Sequence, residues 1–94
     1  MLTGTRIAFI GGGNMAEALL AGLLRKGVAD AERLTVSDPD VHRRKLLAER
    51  FGVAVHADNR TAAQGAELVV FCVEPQVLDA VLDEVASSLQ SRPL

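Results

Sequence analysis

Three consecutive glycines running into a helix-forming stretch, Gly11-Gly12-Gly13-Asn14-Met15-Ala16, are the residues of this sequence whose types and spacing most plainly suit chemistry. Written as G-x-G-x-x-A, the pattern gives Gly11 for a tight turn and Gly13 so that a pyrophosphate can approach the backbone. Small Ala16 stands where a helix must pack closely on a strand. The first free N–H groups of that helix, from about Gly13 to Met15, would face the phosphates with the positive end of the helix dipole behind them. A dinucleotide site is what this junction implies. Its context gives the short glycine pattern meaning, because β-formers Ile7-Ala8-Phe9-Ile10 precede it, apolar helical residues follow, and acidic Asp38 ends a second strand. The competing reading is a plain β-turn-α with no ligand.

The other reactive residue types stand apart from one another. His42 and His56 are lone histidines, read as a solvated helix side chain and a loop residue. Cys72 closes an apolar run, where a small packed hydrophobe is expected rather than a nucleophile. Glu17, in the first turn or so of the glycine-led helix, is expected to be a surface group favoured by the dipole. Arg43, Arg44 and Lys45 read as a solvated helix face near the second loop, from which an arginine could reach a 2′-phosphate. No catalytic residue, hydrolase-like constellation or metal-ligand set is assigned.

The elements that must position the glycine turn follow from apolar pattern and punctuation. After a polar arm, Met1 to Thr5, strand one covers about Arg6 to Gly11 and is apolar without alternation, as a strand covered on both faces requires. Helix A runs from about Asn14 to Arg25, with Met15, Ala18, Leu19, Gly22 and Leu23 spaced to face the sheet and Lys26-Gly27 as its stop. Strand two is Leu34 to Asp38. Pro39 fixes the turn into helix B, from Asp40 or Val41 to Phe51, with Gly52 ending it. Strand three is the short Val53-Ala54-Val55, and His56 to Asn59 connect it to a small helix C near Arg60 to Gln64, closed by Gly65. Strand four, Leu68 to Val73, is the second continuous apolar run and is expected in the sheet's centre beside strand one. Glu74-Pro75 opens helix D, which runs to about Ser88 with Val77, Leu78, Val81, Leu82 and Val85 at helical spacing.

Alternating β and α with right-handed crossovers predicts an α/β fold, a Rossmann-type doubly wound parallel sheet of order 3-2-1-4, truncated after the fourth βα unit. A nucleotide would lie across the carboxyl ends of the strands, where loops Gly11–Met15, Ser37–Asp40, His56–Asn59 and Cys72–Gln76 meet. Ninety-four residues with 49% hydrophobic content suit one modest core, so residues 1–94 are read as one domain. Ten Lys+Arg against twelve Asp+Glu, a net charge of −2, give no basic field for nucleic acid and no polybasic patch for a membrane. The absence of Trp and Tyr removes base-stacking platforms as well. A single cysteine and no leader-like or long apolar run point to a cytoplasmic, soluble protein.

With these loops placed, the chain resembles the N-terminal part of the pyrroline-5-carboxylate reductase family. The resemblance rests on Phe9-Ile10-Gly11-Gly12-Gly13-Asn14-Met15-Ala16, Ser37-Asp38-Pro39, Asp58-Asn59 and Val73-Glu74-Pro75-Gln76, in that order, and covers essentially all 94 residues. It implies a cofactor domain for reduction of 1-pyrroline-5-carboxylate to proline with NADPH or NADH. By that resemblance Ile10, Gly11, Gly12, Gly13, Asn14 and Met15 would hold the pyrophosphate. Ser37 and Asp38 would lie by the adenosine ribose, and Asn59 would line the adenosine side. Cys72, Val73, Glu74 and Pro75 would run along the nicotinamide half. The family's helical C-terminal domain, which carries most of the substrate pocket and makes the dimer, is absent from these residues, so the fragment is expected to be inactive by itself and the full protein to be a homo-oligomer. The loop after strand four departs from the family, which usually reads Val-Lys-Pro where this chain has Val73-Glu74-Pro75. A non-catalytic nucleotide-binding module and another NAD(P)-dependent reductase of related fold are the alternatives.

Overall fold

A computed structural model describes residues 2–89, with no side-chain account from 87 onward; the expected end of the chain at Gln90 to Leu94 lies outside the described residues. The element order is β1 (Ile7–Ile10), α1 (Asn14–Arg25), a 3₁₀ turn (Ala31–Arg33), β2 (Leu34–Ser37), α2 (Val41–Phe51), β3 (Ala54–His56), α3 (Asn59–Ala63), β4 (Leu68–Phe71) and α4 (Pro75–Leu89). The four strands form one parallel sheet in the order β3-β2-β1-β4, the doubly wound Rossmann-like arrangement expected from the sequence. Ile10 pairs with both Ser37 and Phe71, and Ser37 with His56, so all four strands end at one edge.

Side chains alternate across β1, and the core divides accordingly. Ile7 and Phe9 join Leu20 of α1, Leu34 and Val36 of β2 and Leu47 of α2. Ile10 turns to the opposite face and meets Ala62 and Ala63 of α3 with Val81 and Val85 of α4. A strand sandwiched in this way must be apolar at every position, which is why Ile7 to Ile10 carries no polar residue.

Local chemistry sets the helix boundaries. Asp40 caps α2 by accepting from the His42 N–H at 2.9 Å, and Gly52 ends it in the left-handed region at φ 72°. Asp58 caps α3 through the Arg60 N–H at 3.0 Å. That cap starts the helix at Asn59, one residue before the expected position. β3 likewise sits one residue later than expected, while β1, β2 and β4 end sooner.

Three expectations about burial need correction. In α1 the sheet-facing residues are Ala16 and Leu20, both fully buried, whereas Met15 is 63% and Leu19 40% exposed. Two apolar stripes run side by side on this helix, and close approach to the sheet selects the one carrying small Ala16. Met15, Ala18, Leu19 and Gly22 lie on or beside the other stripe. β4 does lie beside β1, but it is an edge strand among the described residues, and Leu68 is 43% exposed. In α4, Val81 and Val85 are buried while Val77 and Leu82 face outward.

Candidate dinucleotide-binding site

The turn between β1 and α1 is fixed from below by its neighbours. Gly11 has φ 104°, a conformation that side chains disfavour, and a Cβ there would lie 2.5 Å from the Cys72 carbonyl oxygen. Its N–H donates to the Ser37 carbonyl at 2.9 Å, while the Cys72 N–H donates to the Ile10 carbonyl at 2.8 Å. Gly12 is buried, and a Cβ on it would crowd Leu47 and Asp38. Gly13 differs from both. Its φ is −80°, and a Cβ would meet nothing within 4 Å.

α1 then begins without a side-chain cap. The N–H groups of Gly13, Asn14, Met15 and Ala16 take no protein acceptor among the described residues, since the first bond of the helix runs from the Glu17 N–H to the Gly13 carbonyl. Helices α2 and α3 each have an aspartate cap. Donors left open at a dipole's positive end favour an anion, and the space above Gly13 admits one.

Asp38 stands at the end of β2 with both carboxylate oxygens engaged. Oδ2 accepts from the Gly12 N–H and Oδ1 from the Asp40 N–H, each at 2.9 Å. The carboxylate thus joins the phosphate turn to the β2–α2 loop and keeps unused lone pairs on both oxygens. Arg44 closes that loop from the side, donating to the carbonyls of Asp38 and Pro39 at 2.9 and 3.1 Å.

Buried Ser37 donates through Oγ to Asn59 Oδ1 at 2.6 Å, and the Asn59 amide donates to Glu84 Oε1 at 2.9 Å. The Asn59 side chain is therefore held from β2 and α4 at once. Ile10 lies fully buried beneath the turn, while Asn14 and Met15 are exposed at its mouth. Cys72 and Val73 are half-buried beside Gly11, and Glu74 and Pro75 are exposed where α4 begins. Burial raises the Cys72 thiol above its ordinary pKa, which disfavours the thiolate and suits a packing role. His42 is exposed on α2, and His56 is half-buried at the end of β3.

Glu17 and Arg43 depart from the solvated surface positions expected of them, with side chains only 23% and 24% exposed. Glu17 is bound by two arginines, Arg43 at 2.5 Å and Arg50 on its other oxygen, and Arg43 also donates through Nε to the Gly12 carbonyl. The Arg43 guanidinium hydrogen-bonded to Glu17 holds its carboxyl below the ordinary carboxylate range. The ion pair's stabilisation is therefore complete above the ordinary carboxylate pKa and is lost in acid as the folded protein protonates. A short-range periodicity holds no signal for partners 26 and 33 residues away.

A model of the family described as NADP oxidoreductase, coenzyme F420-dependent, matches residues 6–94. The chain is 40% identical over 89 residues to the pyrroline-5-carboxylate reductase of Pseudomonas aeruginosa, a stretch that is 95% of this chain and 32% of that protein. The structure of the pyrroline-5-carboxylate reductase from Coxiella burnetii matches with a TM-score of 0.89 and 34% identity, over 94% of this chain and 32% of that one. An imine reductase from Myxococcus stipitatus, a variant in complex with NAD+, matches with a TM-score of 0.75 and 26% identity, over 94% of this chain and 30% of its own. The chain thus spans about a third of the length of the relatives it matches.

Proposed function

Because the chain belongs to the family of NADP oxidoreductases described as coenzyme F420-dependent, we propose that it is the dinucleotide-binding domain of a reductase that converts 1-pyrroline-5-carboxylate to proline. The observation that carries this reading is the uncapped N-terminus of α1, four open N–H groups beneath the clear space at Gly13. Gly13, Asn14 and Met15 would bind the pyrophosphate through the backbone, over the turn shaped by Ile10, Gly11 and Gly12. Ser37 and Asp38 would border the adenosine ribose and Asn59 the adenosine side. Cys72, Val73, Glu74 and Pro75 would line the nicotinamide half. Bound there, NADPH or NADH supplies a hydride, and the contribution of these residues is orientation and electrostatics. The likeness to pyrroline-5-carboxylate reductases supports the substrate. On the same likeness we assign the substrate pocket and the oligomer contacts to a separate helical domain, in a cytoplasmic homo-oligomer. Titration with NADPH and NADH tests the reading, and failure to bind either at millimolar concentration would overturn it.

Cofactor choice turns on the end of β2. Asp38 offers lone pairs to a ribose 2′-OH and repels a 2′-phosphate, whereas Arg44, which binds the loop carbonyls through Nη1 alone, is the cation assigned to that phosphate, Arg43 being committed through two nitrogens to Gly12 and Glu17. Asp38→Ala is expected to shift the NADPH/NADH affinity ratio toward NADPH by roughly ten-fold, from removal of a like charge at short range. An unaltered ratio in parallel titrations would show that Asp38 only ties the turn together.

Glu74 sets a carboxylate where the family resemblance implies lysine, and it would stand beside the path of an anionic cofactor. The side chain is exposed, so the penalty is modest, about 0.5–1 kcal/mol. Glu74→Lys is expected to tighten dinucleotide binding a few-fold at low salt and hardly at all at high salt. No gain at low salt would show that the carboxylate points away from the cofactor.

A further inference from the structure

Gly12 is held at both ends of its backbone by charged side chains from outside the turn. Asp38 accepts from its N–H at 2.9 Å, and Arg43 donates to its carbonyl. Arg43 is not loose on the surface of α2. Its side chain is 24% exposed, and its terminal nitrogen is bound at 2.5 Å to Glu17 of α1, which Arg50 grips from the other side. The chain of contacts thus links α2, α1 and the glycine turn.

The carbonyl of Gly12 and the N–H of Gly13 belong to one peptide unit. That unit is planar and trans, so the two groups point in opposite directions. Holding the carbonyl toward the guanidinium turns the Gly13 N–H away from it, where it has no protein acceptor. Donation to the carbonyl also polarises the peptide and strengthens its N–H as a donor.

We propose that Arg43, held in place by Glu17, is a positioning residue that presents the Gly13 N–H to the cofactor pyrophosphate. The proposal rests on the dinucleotide assignment above and adds to it a role for three charged side chains on two helices. It separates Arg43 from the 2′-phosphate. Pyrophosphate is common to NADH and NADPH, so loss of the clamp must weaken both equally, whereas loss of a 2′-phosphate ligand would weaken NADPH alone.

The test pairs titrations of NADH and NADPH with the amide NMR spectrum of the ligand-free protein, for the parent, Arg43→Met and Glu17→Gln. Arg43→Met is expected to weaken both cofactors by the same factor, roughly ten-fold, and to move the Gly13 amide resonance. Glu17→Gln keeps Arg43 but loosens its anchor, and should produce the same changes on a smaller scale. Weakened NADPH with unchanged NADH, or an unmoved Gly13 amide in both variants, overturns the proposal. Should Arg43→Met not fold, unchanged affinities and an unmoved amide in Glu17→Gln overturn it equally. A parent that binds neither cofactor overturns the dinucleotide assignment instead, and the Gly13 amide still reports whether the clamp exists.

Discussion

Gly13→Val is expected to abolish dinucleotide binding while the domain stays folded. Valine can adopt the backbone of Gly13, whose φ of −80° and ψ of −160° lie in the extended region open to all residues. Its Cβ would meet no atom within 4 Å beyond its own residue and chain neighbours, so no tertiary packing is disturbed. The two methyl groups would instead occupy the clear space over the N–H groups of Gly13, Asn14 and Met15, and an anion could no longer reach them. Affinity for NADPH and NADH should fall by roughly a hundred-fold or more, the loss expected when several charge-assisted hydrogen bonds go together. The melting temperature should change by no more than a few degrees, as for a surface substitution in a domain of this size. Calorimetric titration beside a thermal melt checks both halves, and an unchanged affinity would remove the pyrophosphate from this turn.

The parts of the fold that were legible in the sequence are those determined within a few residues of themselves. Asp40 and Gly52 bound α2 because a cap and a left-handed glycine act on their own turn of helix, and Gly11 marks the strand-to-helix junction for the same reason. The order β3-β2-β1-β4 was legible because strands alternate with helices and such crossovers are right-handed, whereas the unalternating run Leu68 to Val73 pointed to a central strand and β4 lies at the edge of the described sheet. The rotation of α1 was not legible. Met15 and Leu19 form as good an apolar stripe as Ala16 and Leu20, and the choice depends on how near the helix axis comes to β1, a distance that only the assembled turn fixes. Glu17 looked like a surface carboxylate for a similar reason: its two arginines come from α2, brought alongside only when both helices cover the same sheet face. Of the site, the loop positions were legible from the glycine pattern and from Asp38. The links that hold them in place, Ser37 to Asn59 to Glu84 and Gly12 to Arg43, join elements distant in sequence and required the fold.

Gly11→Ala reverses the outcome expected at Gly13, costing the fold itself. At φ 104° an alanine is strained by roughly 1–3 kcal/mol before any neighbour is considered. Its Cβ would also lie 2.5 Å from the carbonyl oxygen and 2.9 Å from the carbonyl carbon of Cys72. Both are backbone atoms at the end of β4, so relief requires β1 and β4 to move apart where the Cys72 N–H meets the Ile10 carbonyl at 2.8 Å. Loss of that bond adds about 1 kcal/mol, and together with the strain and the overlap the substitution should destabilise the domain by about 3–5 kcal/mol. A domain of this length has only about 5–14 kcal/mol in total. Thermal unfolding should therefore begin at least about 12 °C lower, from a shift of about 4–8 °C per kcal/mol. A melt within a few degrees of the parent would show that β4 yields freely at Cys72. If Gly11→Ala were mild while Gly13→Val unfolded the protein, the roles given to the two glycines would be exchanged and the phosphate turn would lie two residues earlier than assigned.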